Sequence, residues 1–195
     1  YSLEQTRLVC LTRFLANLAD VDSLRVRRRD YVNDDDWRRV QQAMEALRAL
    51  PLFLQDRADL ASGALRSHAR REAKARDIRV LIVDHLQHIP LHERVTNEHL
   101  GIKRVVFELK SLAEELDAHV ILLSQLNRGV EKREDKRPLL SDLRESGAIE
   151  EYADNVAMIY RHGYYQRVDG QPEPDEGETE LILRKSRNGQ VGTVF

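Results

Sequence analysis

The spacing of apolar residues divides the chain into helical segments and short apolar runs. A first helix is predicted to begin near Leu3, because Ser2 and Gln5 have the spacing of a capping box. The apolar stripe of this helix, at helical period, consists of Leu8, Leu11, Leu15 and Leu18. A second helical segment is predicted around residues 21–28.

The third helix carries clear signals at both of its ends. Asn33 and the acidic residues 34–36 are typical of a capped, negatively charged first turn, and Pro51 closes the segment. Its apolar face consists of Trp37, Val40, Met44 and Leu47. A basic helix is predicted next, at about Ser62–Arg76.

Two continuous apolar runs, Val80–Val83 and residues 120–123, predict strands that are covered on both faces. A strong amphipathic helix lies between them, marked by Ile102, Val106, Leu109, Ala113 and Leu116. The order strand, helix, strand favours a parallel sheet with right-handed crossovers. The fold class is therefore α/β, with a largely parallel central sheet flanked by helices.

Other segments complete this α/β pattern. Short strands are predicted at residues 52–54 and 155–160, and a terminal antiparallel pair at residues 180–184 and 191–195. A polar loop is expected at residues 127–140. The Gly-, Pro- and acid-containing residues 168–178 are expected to form a mobile loop.

Composition limits the possible classes of protein. The 195 residues suit a single domain, and 42% hydrophobic with 33% charged residues suits a soluble α/β protein. The net charge of -2 provides no global basic field, so a nucleic-acid contact must come from a local patch or an assembled channel. Cys10 is the only cysteine, which excludes an internal disulfide. No apolar run is long enough to span a membrane.

Polar side chains follow the predicted strands, at the positions where α/β folds bind ligands. Asp84 ends the first apolar run and Gln125 follows the second, although many strands end this way in an ordinary turn. Glu4, on local sequence alone, is better explained as a first-turn acid that favours the helix dipole. His85, His88 and His92 are clustered, but the sequence identifies no further ligands for a zinc site.

Several longer motifs together resemble the DnaB-type replicative DNA helicases, a RecA-like family of ring-shaped ATPases. The densest stretch contains SQLNR from Ser124, DKRP from Asp135 and SDLRESG from Ser141. YSLE at the start resembles FSLEM of the family, and KSRNG from Lys185 resembles KQRNG. Asp84 and the following Leu-Gln match DYLQL, with His85 where the family usually has Tyr.

The resemblance implies a role for each matched residue. In the family the position of Glu4 holds the base that activates water, and the position of Asp84 holds the Walker B carboxylate that helps to hold Mg²⁺. The position of Gln125 holds a nucleotide sensor. The family also has cations that reach the nucleotide of the neighbouring subunit, and the matching residues here are Lys185 and Arg187. A further basic position of the family lies near the nucleotide, and it is matched by Arg13. A loop grips the backbone of single-stranded DNA, and its matching residues are Arg144, Glu145 and Gly147.

The resemblance therefore implies a hexameric, ATP- and Mg²⁺-dependent helicase of the cytoplasm, with a loader and a primase as partners. No GxxxxGK[ST] motif occurs in the sequence. We accordingly expect residues 1–195 to be one RecA-like ATPase domain that is incomplete at its N-terminal side, and to hydrolyse ATP poorly alone. The alternatives are a non-enzymatic RecA-like module that binds DNA or a partner, and another RecA-like ATPase of the recombinase type.

Overall fold

The computed structural model describes residues 1–28, 33–57, 60–91, 97–143, 146–165 and 179–194. The helices within these ranges are α1 Arg7–Ala19, α2 Ser23–Arg27, α3 Asp34–Ala49, α4 Ser62–Arg76, α5 Glu98–Leu116, α6 Ser146–Tyr152 and α7 His162–Tyr165. The strands are β1 Val80–Val83, β2 His119–Leu122, β3 Asn155–Arg161, β4 Thr179–Ser186 and β5 Gly192–Val194. Short 3₁₀ helices cover Leu86–His88, Arg128–Lys132 and Leu140–Asp142.

Two hydrogen-bonded sheets organise these strands. β1 and β2 are parallel, in a register that places Val83 opposite Leu122, and α5 connects them. β3, β4 and β5 form an antiparallel sheet with β4 in the centre. The predicted α/β class, with a parallel strand pair and a C-terminal antiparallel pair, is confirmed.

The first residues are extended, and the prediction of a helix near Leu3 was wrong. The Tyr1 nitrogen donates to the Ile82 carbonyl at 2.7 Å, and the Asp84 N–H donates to the Tyr1 carbonyl at 2.9 Å. The Leu3 N–H then donates to the Asp84 carbonyl at 2.7 Å. These bonds align residues 1–3 parallel to the end of β1, so α1 begins only at Arg7.

Helices α2 and α3 follow their local signals closely. The Asn33 side chain accepts a hydrogen bond from the Asp36 N–H at 2.7 Å, which caps α3 as predicted. The Asp22 carboxylate caps α2 in the same way, through the Leu24 N–H at 2.7 Å. None of the helices in the described ranges is both long and apolar enough to cross a lipid bilayer.

The main hydrophobic core lies where α5 packs against β1 and the antiparallel sheet. Val83, Val105, Leu109 and Met158 are among its buried side chains. A smaller cluster joins α4, α5 and β1 through Ala69, Leu112 and Leu81, and another joins α1 to α3. Packing on one side of the parallel pair is therefore dense.

The other side of the parallel pair is open, in contrast to the expectation of two covered faces. Side chains alternate along β1, so Leu81 and Val83 are buried whereas Val80 and Ile82 are about half exposed. Ile121 on β2 is exposed on the same open face. Within the described residues the packing helices cover only the Leu81 side, which explains the difference.

Residues 52–54 and 127–140 differ in part from their predicted structure. Residues 52–54 are described but form no strand, since they make no ladder with β1 or β2. The polar loop at 127–140 contains the 3₁₀ helix Arg128–Lys132. The predicted mobile loop at 168–178 lies outside the described residues.

Candidate functional site

Glu4 and Asp84 emerge side by side at one end of the parallel strands. Glu4 follows the extended residues 1–3, and Asp84 follows β1, to which those residues pair. Both side chains are nearly half exposed, at 46% and 44%. Two carboxylates therefore face solvent at the carboxyl end of the sheet, where folds of this kind bind ligands.

His85 lies between these two carboxylates. Its Nδ1 is 3.5 Å from Glu4 Oε2 and 3.7 Å from Asp84 Oδ1. The side chain is only 6% exposed, and its ring meets the ring of His88 edge-on with centroids 4.5 Å apart. No described residue offers a hydrogen-bond partner to the buried His85 Nε2.

Gln125 is held at the same end of the sheet. Its N–H donates to Gln87 Oε1 at 3.2 Å, and Gln87 Nε2 donates to Ser124 Oγ at 3.0 Å. The Leu86 N–H also donates to the Leu123 carbonyl at 2.9 Å. Gln87 thus ties the segment after β1 to the segment after β2, and Gln125 lies at the same end of the sheet as Asp84. In the sequence analysis Gln87 has no role beyond its place in the DYLQL match.

The segment that leads to the predicted DNA-binding loop is braced by Asp142. The Asn127 N–H donates to the Asp142 carbonyl at 2.7 Å. The buried Asp142 carboxylate accepts from Arg133 Nη1 at 2.9 Å, from Arg133 Nη2 at 2.6 Å and from the Leu139 N–H at 2.7 Å. Two of the three predicted DNA-binding residues, Arg144 and Glu145, lie outside the described residues, and Gly147 lies in α6.

Lys185 and Arg187 lie in a different place, at the end of α6 and the start of β3. Lys185 Nζ donates to the Glu150 carbonyl at 2.5 Å and to the Ala153 carbonyl at 2.7 Å. Arg187 Nη1 contacts Asp154 Oδ1 at 2.9 Å. The structure therefore does not bring these two cations to the Glu4 and Asp84 carboxylates of the same chain.

Asp154 is the centre of this second group of charges. Lys110 Nζ donates to Asp154 Oδ2 at 2.6 Å. This hydrogen bond is the main reason why the pKa of the Asp154 carboxyl lies below its usual range, and the nearby charges of Lys110, Arg187 and Lys185 lower it further. Arg13, the last predicted nucleotide contact, is exposed on α1, and no described residue pairs with its guanidinium.

An open pocket elsewhere on the surface is lined by Tyr160, His162 and residues 134–137. Arg137 donates to Glu180 Oε1 at 2.6 Å and to Glu180 Oε2 at 2.9 Å, and its guanidinium lies 4.9 Å from the centre of the Tyr160 ring. The paired guanidinium holds the pKa of the Glu180 carboxyl below its usual range. The main cation of this pocket is therefore engaged within the chain.

Comparison with known proteins gives a consistent result. The model of the family described as DnaB-like helicase C terminal domain matches residues 1–195. The chain is 38% identical over 194 residues to the replicative DNA helicase DnaB of Mycobacterium intracellulare, and 38% identical over 196 residues to that of Pasteurella multocida. These matches cover all of this chain but only 33% and 41% of the relatives, so the chain spans well under half of their length.

Solved structures support the same family. A DnaB-like replicative helicase, described together with its interactions with primase, superposes with a TM-score of 0.88 at 32% identity, covering 99% of this chain and 46% of that chain. A solved ATPase domain superposes with a TM-score of 0.87 at 32% identity, covering 99% of this chain and 68% of that chain. Together with the family model that spans all 195 residues, these likenesses show that the chain belongs to the DnaB-like helicase C-terminal domain family.

Proposed function

We propose that the chain is the larger part of the ATPase motor of a replicative DNA helicase, which moves along single-stranded DNA and separates the duplex. The observation that carries the proposal is the placement of Glu4, Asp84 and Gln125 at the same carboxyl end of paired parallel strands, in a chain of this family. Three residues far apart in sequence thereby share one ligand-binding edge. We place this activity in the cytoplasm, at the replication fork.

The residues at this edge fit a nucleotide with Mg²⁺. Both carboxylates are accessible, and Mg²⁺ takes oxygen ligands and keeps several of its waters. A bound magnesium ion would neutralise charge on the phosphates. Asp84 would support the ion, through water, and Glu4 would accept a proton from the attacking water.

Gln125 is suited to a sensor role because it is tied to both neighbouring segments. Its backbone is tethered to Gln87, and its segment continues into the Leu126–Leu143 bridge and the Asn127–Asp142 hydrogen bond. A shift of Gln125 is thereby coupled to the segment that precedes Arg144. We propose that Arg144, Glu145 and Gly147 grip the DNA backbone, in contacts that are independent of base sequence and weakened by salt.

Lys185 and Arg187 would act on the nucleotide of the adjacent subunit. Within one chain these two cations contact Glu150, Ala153 and Asp154 and not Glu4, so an action on the nucleotide falls to a neighbouring subunit. An arginine finger of this kind stabilises transition-state charge. We therefore propose a hexameric ring, with Arg13 near the nucleotide and with a helicase loader and a primase as further partners. Neither the scaffold nor the recombinase alternative gains support from the described residues.

The proposal is tested in the full-length protein by replacing Glu4 with Gln. We expect ATP hydrolysis stimulated by single-stranded DNA to fall by about 10²- to 10⁴-fold, because a positioned base contributes about that much, while nucleotide binding persists. Glu98→Gln, an exposed acid in the first turn of α5, is the matched control and should hydrolyse ATP normally. Unimpaired hydrolysis in Glu4→Gln would contradict the assignment of the base.

A mixing experiment tests the proposed sharing of sites. Full-length Arg187→Ala and Glu4→Gln proteins are each expected to be defective, whereas a mixture assembles some interfaces with an intact base and an intact arginine. ATPase activity of the mixture should therefore exceed that of both proteins alone. Equal inactivity of the mixture would count against catalysis between neighbours.

A further inference from the structure

We propose that Glu4, His85 and His88 form a binding site for a divalent transition-metal ion of the Zn²⁺ class, and that the bound ion inhibits the motor. One carboxylate oxygen and one nitrogen from each imidazole all lie within 4.8 Å of one another. The binding site itself does not depend on the proposed function. Its inhibitory effect rests on the proposed function, because Glu4 is the proposed base.

The two histidines are brought together by local backbone geometry. His85 directly precedes the 3₁₀ helix Leu86–His88, and the His88 N–H donates to the His85 carbonyl at 3.0 Å across one turn. A 3₁₀ helix has three residues per turn, which places the side chains of residues i and i+3 on the same side. The ring centroids are accordingly 4.5 Å apart.

Glu4 completes the set through the pairing of residues 1–3 with the end of β1. Its Oε2 is 3.5 Å from His85 Nδ1. Zinc bonds to nitrogen and carboxylate oxygen are about 2.0–2.2 Å long, so tetrahedral donors must come to roughly 3.4 Å from one another. The donor atoms now lie within 4.8 Å of one another, and small rotations of the exposed Glu4 and His88 side chains would shorten these distances while the buried His85 stays in place. Asp84 Oδ1, 3.7 Å from His85 Nδ1, or a water molecule supplies a fourth ligand.

His85 gives independent support, because its buried ring lacks normal hydrogen bonds. Its Nε2 has no partner among the described residues. Its Nδ1 faces carboxylate oxygens at 3.5 and 3.7 Å, beyond the usual 2.7–3.2 Å of an N–H···O bond. Nδ1 is therefore the ring nitrogen that faces the two carboxylates without a normal hydrogen bond to either. A cation held between Nδ1 and these carboxylates accounts for this arrangement, and Nε2 then carries the ring proton.

The donor set selects the class of ion. Imidazole nitrogen together with carboxylate oxygen suits Zn²⁺ and its first-row neighbours, whereas Mg²⁺ and Ca²⁺ prefer oxygen ligands. The two histidines therefore distinguish this site from magnesium support by Asp84. An ion bound to the Glu4 carboxylate would occupy the lone pairs needed to accept a proton, and hydrolysis would stop.

Direct binding is measured on the full-length, metal-free protein. Zn²⁺ is titrated in competition with a chromophoric chelator, and Co²⁺ is added as a spectroscopic probe of tetrahedral nitrogen and oxygen ligands. We expect the His88→Ala variant to bind Zn²⁺ at least about tenfold more weakly, since even the loss of an outer-shell partner costs 10- to 100-fold. His119→Ala removes an exposed histidine at the start of β2 and is the matched control. Wild-type affinity in His88→Ala, or an equal loss in His119→Ala, overturns the site.

The effect on activity is read from the same proteins. At fixed Mg²⁺ and ATP, added Zn²⁺ should inhibit wild-type hydrolysis, a chelator should restore it, and His88→Ala should need at least about tenfold more Zn²⁺ for the same fractional inhibition. Each variant is compared with its own zinc-free rate. If Zn²⁺ binds through His88 but does not inhibit hydrolysis, the proposed inhibition is overturned and the proposed binding site is retained. Absence of ATPase activity in every zinc-free sample overturns the proposed function, and the binding titration then still decides the site.

Discussion

The Arg133–Asp142 pair braces the segment that precedes the proposed DNA-binding loop, and removing its carboxylate is a quantitative test of that bracing. In Asp142→Ala the guanidinium of Arg133 loses its carboxylate partner and keeps only the carbonyls of Asp135 and Arg137. The N–H of Leu139 loses its acceptor. The Asp142 side chain is 10% exposed and that of Arg133 is 32% exposed. Water can therefore replace these lost bonds only in part.

The expected cost follows from the bonds that are lost. A neutral hydrogen bond contributes about 1 kcal/mol, and a charge-assisted pair contributes about 1.5–3 kcal/mol. Taking about 2 kcal/mol for the partly exposed guanidinium pair, Asp142→Ala should lower the free energy of unfolding by roughly 3 kcal/mol. Arg133→Ala leaves the Leu139 bond in place, and the Asp135 and Arg137 carbonyls that it also releases are exposed and can bond water, so it should cost about 2 kcal/mol.

The assay is urea unfolding of the 195-residue chain, followed by circular dichroism. The double variant should cost little more than Asp142→Ala alone, so the coupling energy of the cycle is about 2 kcal/mol. Glu131→Ala removes an exposed acid from the same loop and should change stability by less than about 0.5 kcal/mol. A loss below about 1 kcal/mol in Asp142→Ala, or additive single effects, would refute the reasoning.

Three further outcomes follow from described contacts. Leu112→Ala, at a fully buried position of α5, should cost about 3–5 kcal/mol in unfolding free energy, whereas Leu100→Ala, at an exposed position of the same helix, should cost far less. Asp154→Asn should be less stable than wild type at neutral pH. The folded-state pKa of Asp154 is lowered, so its contribution to stability is present above the unfolded pKa of about 3.9 and is lost as pH falls through the folded-state pKa. The difference in stability between the two proteins, followed by acid unfolding, should therefore vanish below the folded-state pKa. Gln87→Ala should reduce kcat of the full-length protein by up to about 100-fold without loss of the fold, because Gln125 loses its tether, and unchanged kcat would exclude that positioning role.

Local signals in the sequence predicted most helices because those signals act over a few residues. Asn33 and the acids that follow it start α3, and the apolar period of α5 continues to its end at Leu116. The run Val80–Val83 predicted β1 with its observed bounds. The SQLNR and SDLRESG motifs resemble those of the DnaB-type helicases and so predicted the family, which the comparisons confirm.

Errors arose where distant segments compete with local preference. Ser2 and Gln5 have capping-box spacing, yet backbone hydrogen bonds to Ile82 and Asp84 keep residues 1–3 extended. The apolar run of β1 predicted two covered faces, whereas packing covers only the side of Leu81 and Val83. Hydrophobicity fixes the tendency to be buried but not the partner that provides the burial.

The sequence by itself determined the class of the fold, the family and the residue types at the ends of the strands. Only the tertiary structure decided that Glu4 meets His85 and His88, and that Lys185 and Arg187 lie with Asp154 instead. The physical reason is that caps and apolar periods act between near neighbours. The meeting of Glu4 and His85 depends on hydrogen bonds between chain segments about 80 residues apart, which no local pattern records.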